Sequence, residues 1–142
     1  MDYESRLKGL YEKYGICPAV FSDGEWQSVI DSLEYLDEEH RLLFSSYSST
    51  ADMPEGCEDL AERSLAYFIY RHTASATDRW DFVRSLGFAF FCERLFVSIL
   101  SAIGRTDLNA AIEAARIISE EIEYSEDNTE DIMMTFDFYI AS

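Results

Sequence analysis

The sequence predicts an all-α protein, a compact bundle of six or seven helices around one central apolar helix at about 79–103. Three observations lead there. Only 6 Gly and 2 Pro occur, too few for a β-sandwich with a turn about every ten residues. Apolar residues recur at spacings of three and four along most of the chain. The stretch "LGFAFFCERLFVSILSAI" (86–103) is apolar nearly all round, a pattern that a helix sustains only when other helices enclose it. At 142 residues the chain suits a single helical domain over 1–142. A domain of that size buries roughly 68–70% of the surface its unfolded chain exposes.

The first helix is expected from about Asp2 to Tyr14, with Leu7, Leu10, Tyr11 and Tyr14 at helical spacing. "GICPAVF" (15–21) breaks it, because Pro18 pushes Cys17 out of the α region. "SDGEWQSVIDSLEYL" (22–36) restarts with Ser22 or Asp23 as N-cap and Glu25 three residues after Ser22. Trp26, Val29, Ile30 and Leu33 form its apolar stripe. In "DEEHRLLFSSYS" (37–48), Asp37 is the N-cap and acids fill the first turn, as the helix dipole favours. "STADMPEG" (49–56) reads as a loop and a candidate hinge.

A long helix is expected from Cys57 to Ala76, with Leu60, Ser64, Tyr67, Phe68 and Arg71 along one side. Asp78 caps the central helix, Arg79 to Ile103, and Gly104 is its C′ residue. "TDLNAAIEAARIISEEIEYS" (106–125) forms the next helix. The last begins near Asn128, read as an N-cap with Asp131 three residues later, and runs through "IMMTFDFYI" (132–140).

Charge narrows the function. The net charge is −17, from 28 acidic and 11 basic residues. Nucleic acid is not expected as a partner, since phosphate binding needs outward Lys and Arg. An anionic membrane surface would repel the chain as well. Lys8 and Lys13 are the only lysines, and the arginines read as internal clamps, because a guanidinium holds a carboxylate bidentately. A basic or lysine-rich protein is the electrostatically matched partner. Cys17, Cys57 and Cys92 form no CxxC, so neither a zinc site nor a thiol–disulfide motif is indicated. The charged start "MDYESRLKGL" is no signal peptide, and a reduced cytoplasmic chain is the expectation.

Two clusters carry the candidate sites. "ISEEIEYSEDN" (118–128) packs Glu120, Glu121, Glu123, Glu126 and Asp127 around Tyr124. On a continuous helix Glu113, Arg116, Glu120, Glu123 and Asp127 fall on one stripe, a solvated face with an internal counter-ion. Glu120 and Glu123 as a cation site lack an accompanying ExxH, so no metal or other cofactor is expected. The second cluster is Tyr67, Tyr70, Arg71 and His72 in "AYFIYRHTASATDRW" (66–80), able to line a pocket with aromatic walls and a titratable ring. No GxSxG, P-loop or GxGxxG occurs, so no motif supports an enzyme there.

"ERSLAYFIYRH" (62–72) and "AARIISEEIEYSEDNTEDIM" (114–133) together resemble the C-terminal helical half of the flagellin lysine-N-methylase family. "WQSVIDSLEYLDEEHRLLFSS" (26–46) is similar to the helix pair before them, although a Trp is often expected where His40 stands. The resemblance covers roughly 26–136 and places a signature at Ser119, Glu121, Ile122, Glu123, Ser125 and Asn128. It implies Ser119 and Ser125 at a tight helix contact, Glu121 and Glu123 anchoring arginines, and Asn128 capping the next helix. The family's cysteine-rich N-terminal part, of the kind that holds an iron–sulfur cluster, has no counterpart here, because a cluster needs four thiolates. Methyl transfer is therefore not expected of this chain alone. The expected role is a non-catalytic helical module that supports a cysteine-rich methylase half or docks a lysine-bearing substrate such as flagellin. The alternatives are an acidic inhibitor of a basic protein, of immunity or phosphate-mimic type, and a small enzyme built on Tyr67, Arg71, His72 and Glu123.

Overall fold

The first helix, α1, spans Tyr3–Tyr14 and starts where the Asp2 carboxylate accepts the Ser5 N–H at 2.8 Å. Gly15, at φ 67°, closes it in the left-handed region that glycine adopts without steric cost. A short 3₁₀ turn at Pro18–Val20 leads into α2, Asp23–Ser32, which opens on the reciprocal Ser22–Glu25 capping box. Asp37 caps α3, Glu38–Phe44, and residues 49–56 form an irregular connection to α4, Glu58–Thr73. Asp78 caps α5, Arg79–Ile103, and Gly104 ends it at φ 73°. Asp107 caps α6, Leu108–Ile118. A π-helical turn at Ser119–Glu123 then leads to α7, Glu126–Ala141. This computed structural model describes residues 2–141; among them there are seven α-helices and no strand.

Helix α5 is the axis of the bundle. Every residue from Leu86 to Leu100 is buried, and α4, α6, α7 and α3 all pack against it. By length and composition α5 could cross a membrane, but 83% of its most apolar window is buried inside the protein, as in a core helix. An aromatic cluster ties it to the rest. Trp26 lies 4.7 Å from Phe91 and 5.4 Å from Phe136 between ring centroids, and its indole N–H donates to the Pro18 carbonyl at 2.8 Å.

Several boundaries differ from the periodicity. Helix α2 stops at Ser32 instead of reaching Leu36, with Leu33 already extended at ψ 155°. The backbone amides of Glu34, Leu36 and Asp37 go instead to side chains of distant residues. Helix α4 ends at Thr73, short of Ala76, and its inward face is Ala61, Leu65 and Phe68, with Tyr67 exposed. Helix α7 begins at Glu126, two residues before the expected Asn128 cap.

Gly87 sets how closely α7 approaches α5. A Cβ built there would stand 2.9 Å from the Phe136 ring, closer than real side-chain carbons approach. Gly87→Ala is expected to destabilise by about 1–3 kcal/mol, the usual cost of overpacking a filled core. Adding Phe136→Leu should recover part of that loss. Urea unfolding of both variants checks it, and an unchanged midpoint for Gly87→Ala would show that the contact is loose.

Candidate functional site

The π-helical turn decides what the acid stretch does. The Tyr124 N–H reaches back to the Ser119 carbonyl at 2.9 Å, an i to i+5 bond that admits an extra residue into the turn. The extra residue shifts the helical phase. Glu113 and Glu120 stay on the outer face and hold Arg116, as the solvated stripe predicts. Glu121 and Glu123 instead turn inward, with side chains 0% and 1% exposed.

Glu123 gathers the second sequence cluster around itself. Its carboxylate accepts from Ser119 Oγ at 2.7 Å, His72 Nε2 at 2.6 Å and Tyr67 Oη at 3.3 Å, and pairs with Arg71 Nε at 3.1 Å. Tyr67, Arg71 and His72 come from successive turns of α4, so one helix face supplies three donors. Arg71 lies 5.8 Å from the Tyr124 ring centroid, and the His72 ring meets Phe88 edge-on at 4.7 Å. Tyr70, the fourth residue of that cluster, is exposed and stands apart from this network. Burial alone would raise the Glu123 pKa, but the bonds from His72 and Ser119 and the charge of Arg71 outweigh it and hold the carboxyl below its ordinary value.

Arg71, His72 and Glu123 form the inner wall of a cleft of about 830 Å³, and Glu126, Asp127, Thr129 and Glu130 form its α7 side. Glu126 and Asp127 are exposed. Chemically this is a saturated anchor. Ser119 donates to Glu123 and not to His72, so serine, imidazole and acid do not stand in relay order for nucleophilic catalysis. Glu120 and Glu123 turn to different partners, so the two do not form a shared carboxylate pair. Among the described residues no group of three or more His, Cys, Asp or Glu is placed to hold a metal ion.

The remaining signature residues make a second anchor, with roles other than those the resemblance implies. Glu121 holds no arginine. It accepts the Leu36 and Asp37 backbone N–H groups at 2.7 and 3.3 Å and meets His40 Nδ1 at 3.0 Å. Asn128 is not the cap of α7: Ser125 Oγ accepts its N–H at 3.2 Å and takes that role. The Asn128 side chain instead clamps Glu34, accepting its N–H at 3.0 Å and donating to its carbonyl at 2.7 Å, while also donating to the Glu121 carbonyl at 2.7 Å. Ser119 and Ser125 thus act through hydroxyl hydrogen bonds, one to a carboxylate and one to a helix terminus. The chain segment 34–37 has no regular partner of its own, and these two side chains hold it.

A third constellation lies at Glu93 and Arg94, within the apolar run of 86–103. Arg94 grips Glu93 with Nε and Nη2, and Tyr3 Oη donates to Glu93 at 2.7 Å. Both charged residues are buried, at 0% and 4% exposure. Two adjacent opposite charges inside an otherwise apolar helix were the signal that could have found this group.

No protein-family description, curated protein or solved structure matches the chain.

Two variants test the anchors. Glu123→Gln should cost about 2–3 kcal/mol at neutral pH, the scale of hydrogen bonds to charged groups, and less than a fully stranded charge because Arg71 is 39% exposed. Because the folded carboxyl titrates below its ordinary 4.5, its contribution is complete above that pH and is lost as the pH falls through the depressed value. The stability gap between wild type and Glu123→Gln, measured by urea unfolding, should therefore be full at pH 7 and close below pH 4.5. Asn128→Ala should cost about 1–3 kcal/mol through the stranded polar groups of Glu34 and Glu121. Amide exchange at Glu34 should rise with it; unchanged protection there would show that the clamp is redundant.

Proposed function

We propose that this chain is a non-catalytic acidic helical module that docks a lysine-bearing protein, with the cleft between α4 and α7 as the contact. One observation carries the reading: seven of the 11 basic side chains hold carboxylates of the same chain, while acids at the cleft face outward. Arg6, Arg41, Arg84, Arg105 and Arg116 each hold a carboxylate of the same chain, as Arg71 and Arg94 do at the two anchors. Glu126 and Asp127 at the cleft have no ion-pair partner among the described residues, and exposed Tyr124 lies beside Arg71 at its inner wall. Carboxylates beside aromatic faces suit an ammonium-bearing side chain, through charge and through the ring quadrupole.

The resemblance to the lysine-N-methylase half names flagellin as the partner to try first, or a cysteine-rich methylase half that this module supports. The three cysteines are free thiols, which accords with a reducing, cytoplasmic setting. Calorimetric titration with flagellin at low and at moderate salt tests the proposal. Saturable binding that weakens with salt, and weakens further in a Glu126→Gln, Asp127→Asn variant, is the expected result. Absence of binding at both salts would remove flagellin. Tight binding to an unrelated basic protein would favour the inhibitor role instead.

A further inference from the structure

A second cleft, of about 750 Å³, opens between α1 and the loop at 49–53 and shares no lining residue with the acid-rimmed one. Its lining includes Arg94, the only residue that α5 contributes, together with Tyr11, Lys8, Glu4 and Asp52. Arg94 is 4% exposed; Glu93 engages its Nε and Nη2, and the Glu4 carboxylate lies 3.9 Å from Nη2. Nη1 has no hydrogen-bond partner among the described residues, which leaves two N–H donors beside the cleft. Among the described residues the hydroxyls of Tyr11 and of Tyr47 are buried without a hydrogen-bond partner. A buried hydroxyl without a partner is costly, and such groups are rare in native structures unless something comes to meet them.

We infer that this cleft binds a small zwitterion of the amino-acid type, its carboxylate received by Arg94 and Tyr11 and its ammonium by the acids at the rim. The carboxylate follows from the donors: two N–H groups of a guanidinium and one phenolic O–H offer directed bonds to a carboxylate's two oxygens. The ammonium follows from the charge. Glu93 already neutralises Arg94, and Asp2, Glu4 and Asp52 outnumber Lys8 around the opening, so a simple anion meets net repulsion. The volume falls within the range of small-molecule sites. A free amino acid and a short peptide present the same two groups, and the experiment separates them.

Tyr11→Phe is the decisive variant, because it keeps the ring that packs edge-on against Phe90 at 4.8 Å and removes only the hydroxyl. With nothing bound, the variant should melt at the wild-type temperature or above it, since a buried group without a partner is deleted. The common L-amino acids, one at a time, and triglycine are screened at millimolar concentration by thermal shift. Stabilisation by an amino acid assigns the free form, and stabilisation by triglycine alone assigns the peptide. For any binder, the analogue lacking the carboxylate and the analogue lacking the ammonium should both fail. Calorimetry should find affinity at least about tenfold weaker in Tyr11→Phe, the loss expected for a hydrogen bond to a charged group. Asp52→Asn should weaken binding without altering the unbound melting temperature. Silence across the whole panel, or a lower melting temperature for unbound Tyr11→Phe, would overturn the inference.

Discussion

A helix that is buried around its whole circumference has no side to offer to water, and α5 is such a helix from Leu86 to Leu100. The hydrophobic effect acts on all of its faces at once. Helices α3, α4, α6 and α7 lie against it, and Gly87 lets the Phe136 ring of α7 come within contact of its backbone. The capped starts of α1, α2, α3, α5 and α6 fix where those helices begin. Burial against α5 fixes which faces turn inward.

The charged groups inside this frame are satisfied in three different ways. Glu93 has a covalent neighbour, Arg94, and a tyrosine from α1. Glu123 is met by four donors from α4 and from its own turn. Glu121 uses backbone amides and an imidazole. Each arrangement joins elements distant in sequence: α1 to α5, α4 to the π-helical turn, and the 34–37 segment to the π-helical turn and α7. Buried ion pairs add little to stability against an apolar replacement, yet a partner removed from one strands the other. Their effect is to specify register. Among the positions on α4, only the turn that carries Tyr67, Arg71 and His72 brings these donors to Glu123.

The two clefts differ in kind for the same reason. In the acid-rimmed cleft the inner groups already satisfy one another, leaving only the outer carboxylates for a partner, which suits reversible, salt-sensitive docking. In the cleft over Arg94 the inner groups are incompletely satisfied, and the unused donors point to a ligand that completes them. The burial of Cys92 raises its thiol pKa well above the ordinary value and keeps it a packing residue. Burial raises the Tyr11 and Tyr47 phenols as well, so both are protonated donors at neutral pH.

Local chemistry was enough to read the helices themselves. The bounds of α5, the Ser22–Glu25 box and the caps at Asp37 and Asp78 depend on side chains within three residues of the backbone groups they satisfy. Such short-range bonds leave their mark directly in the sequence. The same holds for Arg116, whose partners Glu113 and Glu120 lie one turn away on either side. What tertiary structure alone decided is where that locality fails. Five residues of π-helical turn changed the phase of the acid stretch, so Glu123 left the wet stripe that a continuous helix assigns it. Asn128 became a clamp for Glu34 because Ser125 already caps α7. Helix α2 ended early because Glu121 and Asn128 take the amides that would have extended it. Tyr67, Arg71, His72 and Glu123 carry no shared motif, and 51 residues separate His72 from Glu123. Their meeting follows from how α4 and α7 pack on α5, a relation between surfaces that no local pattern records.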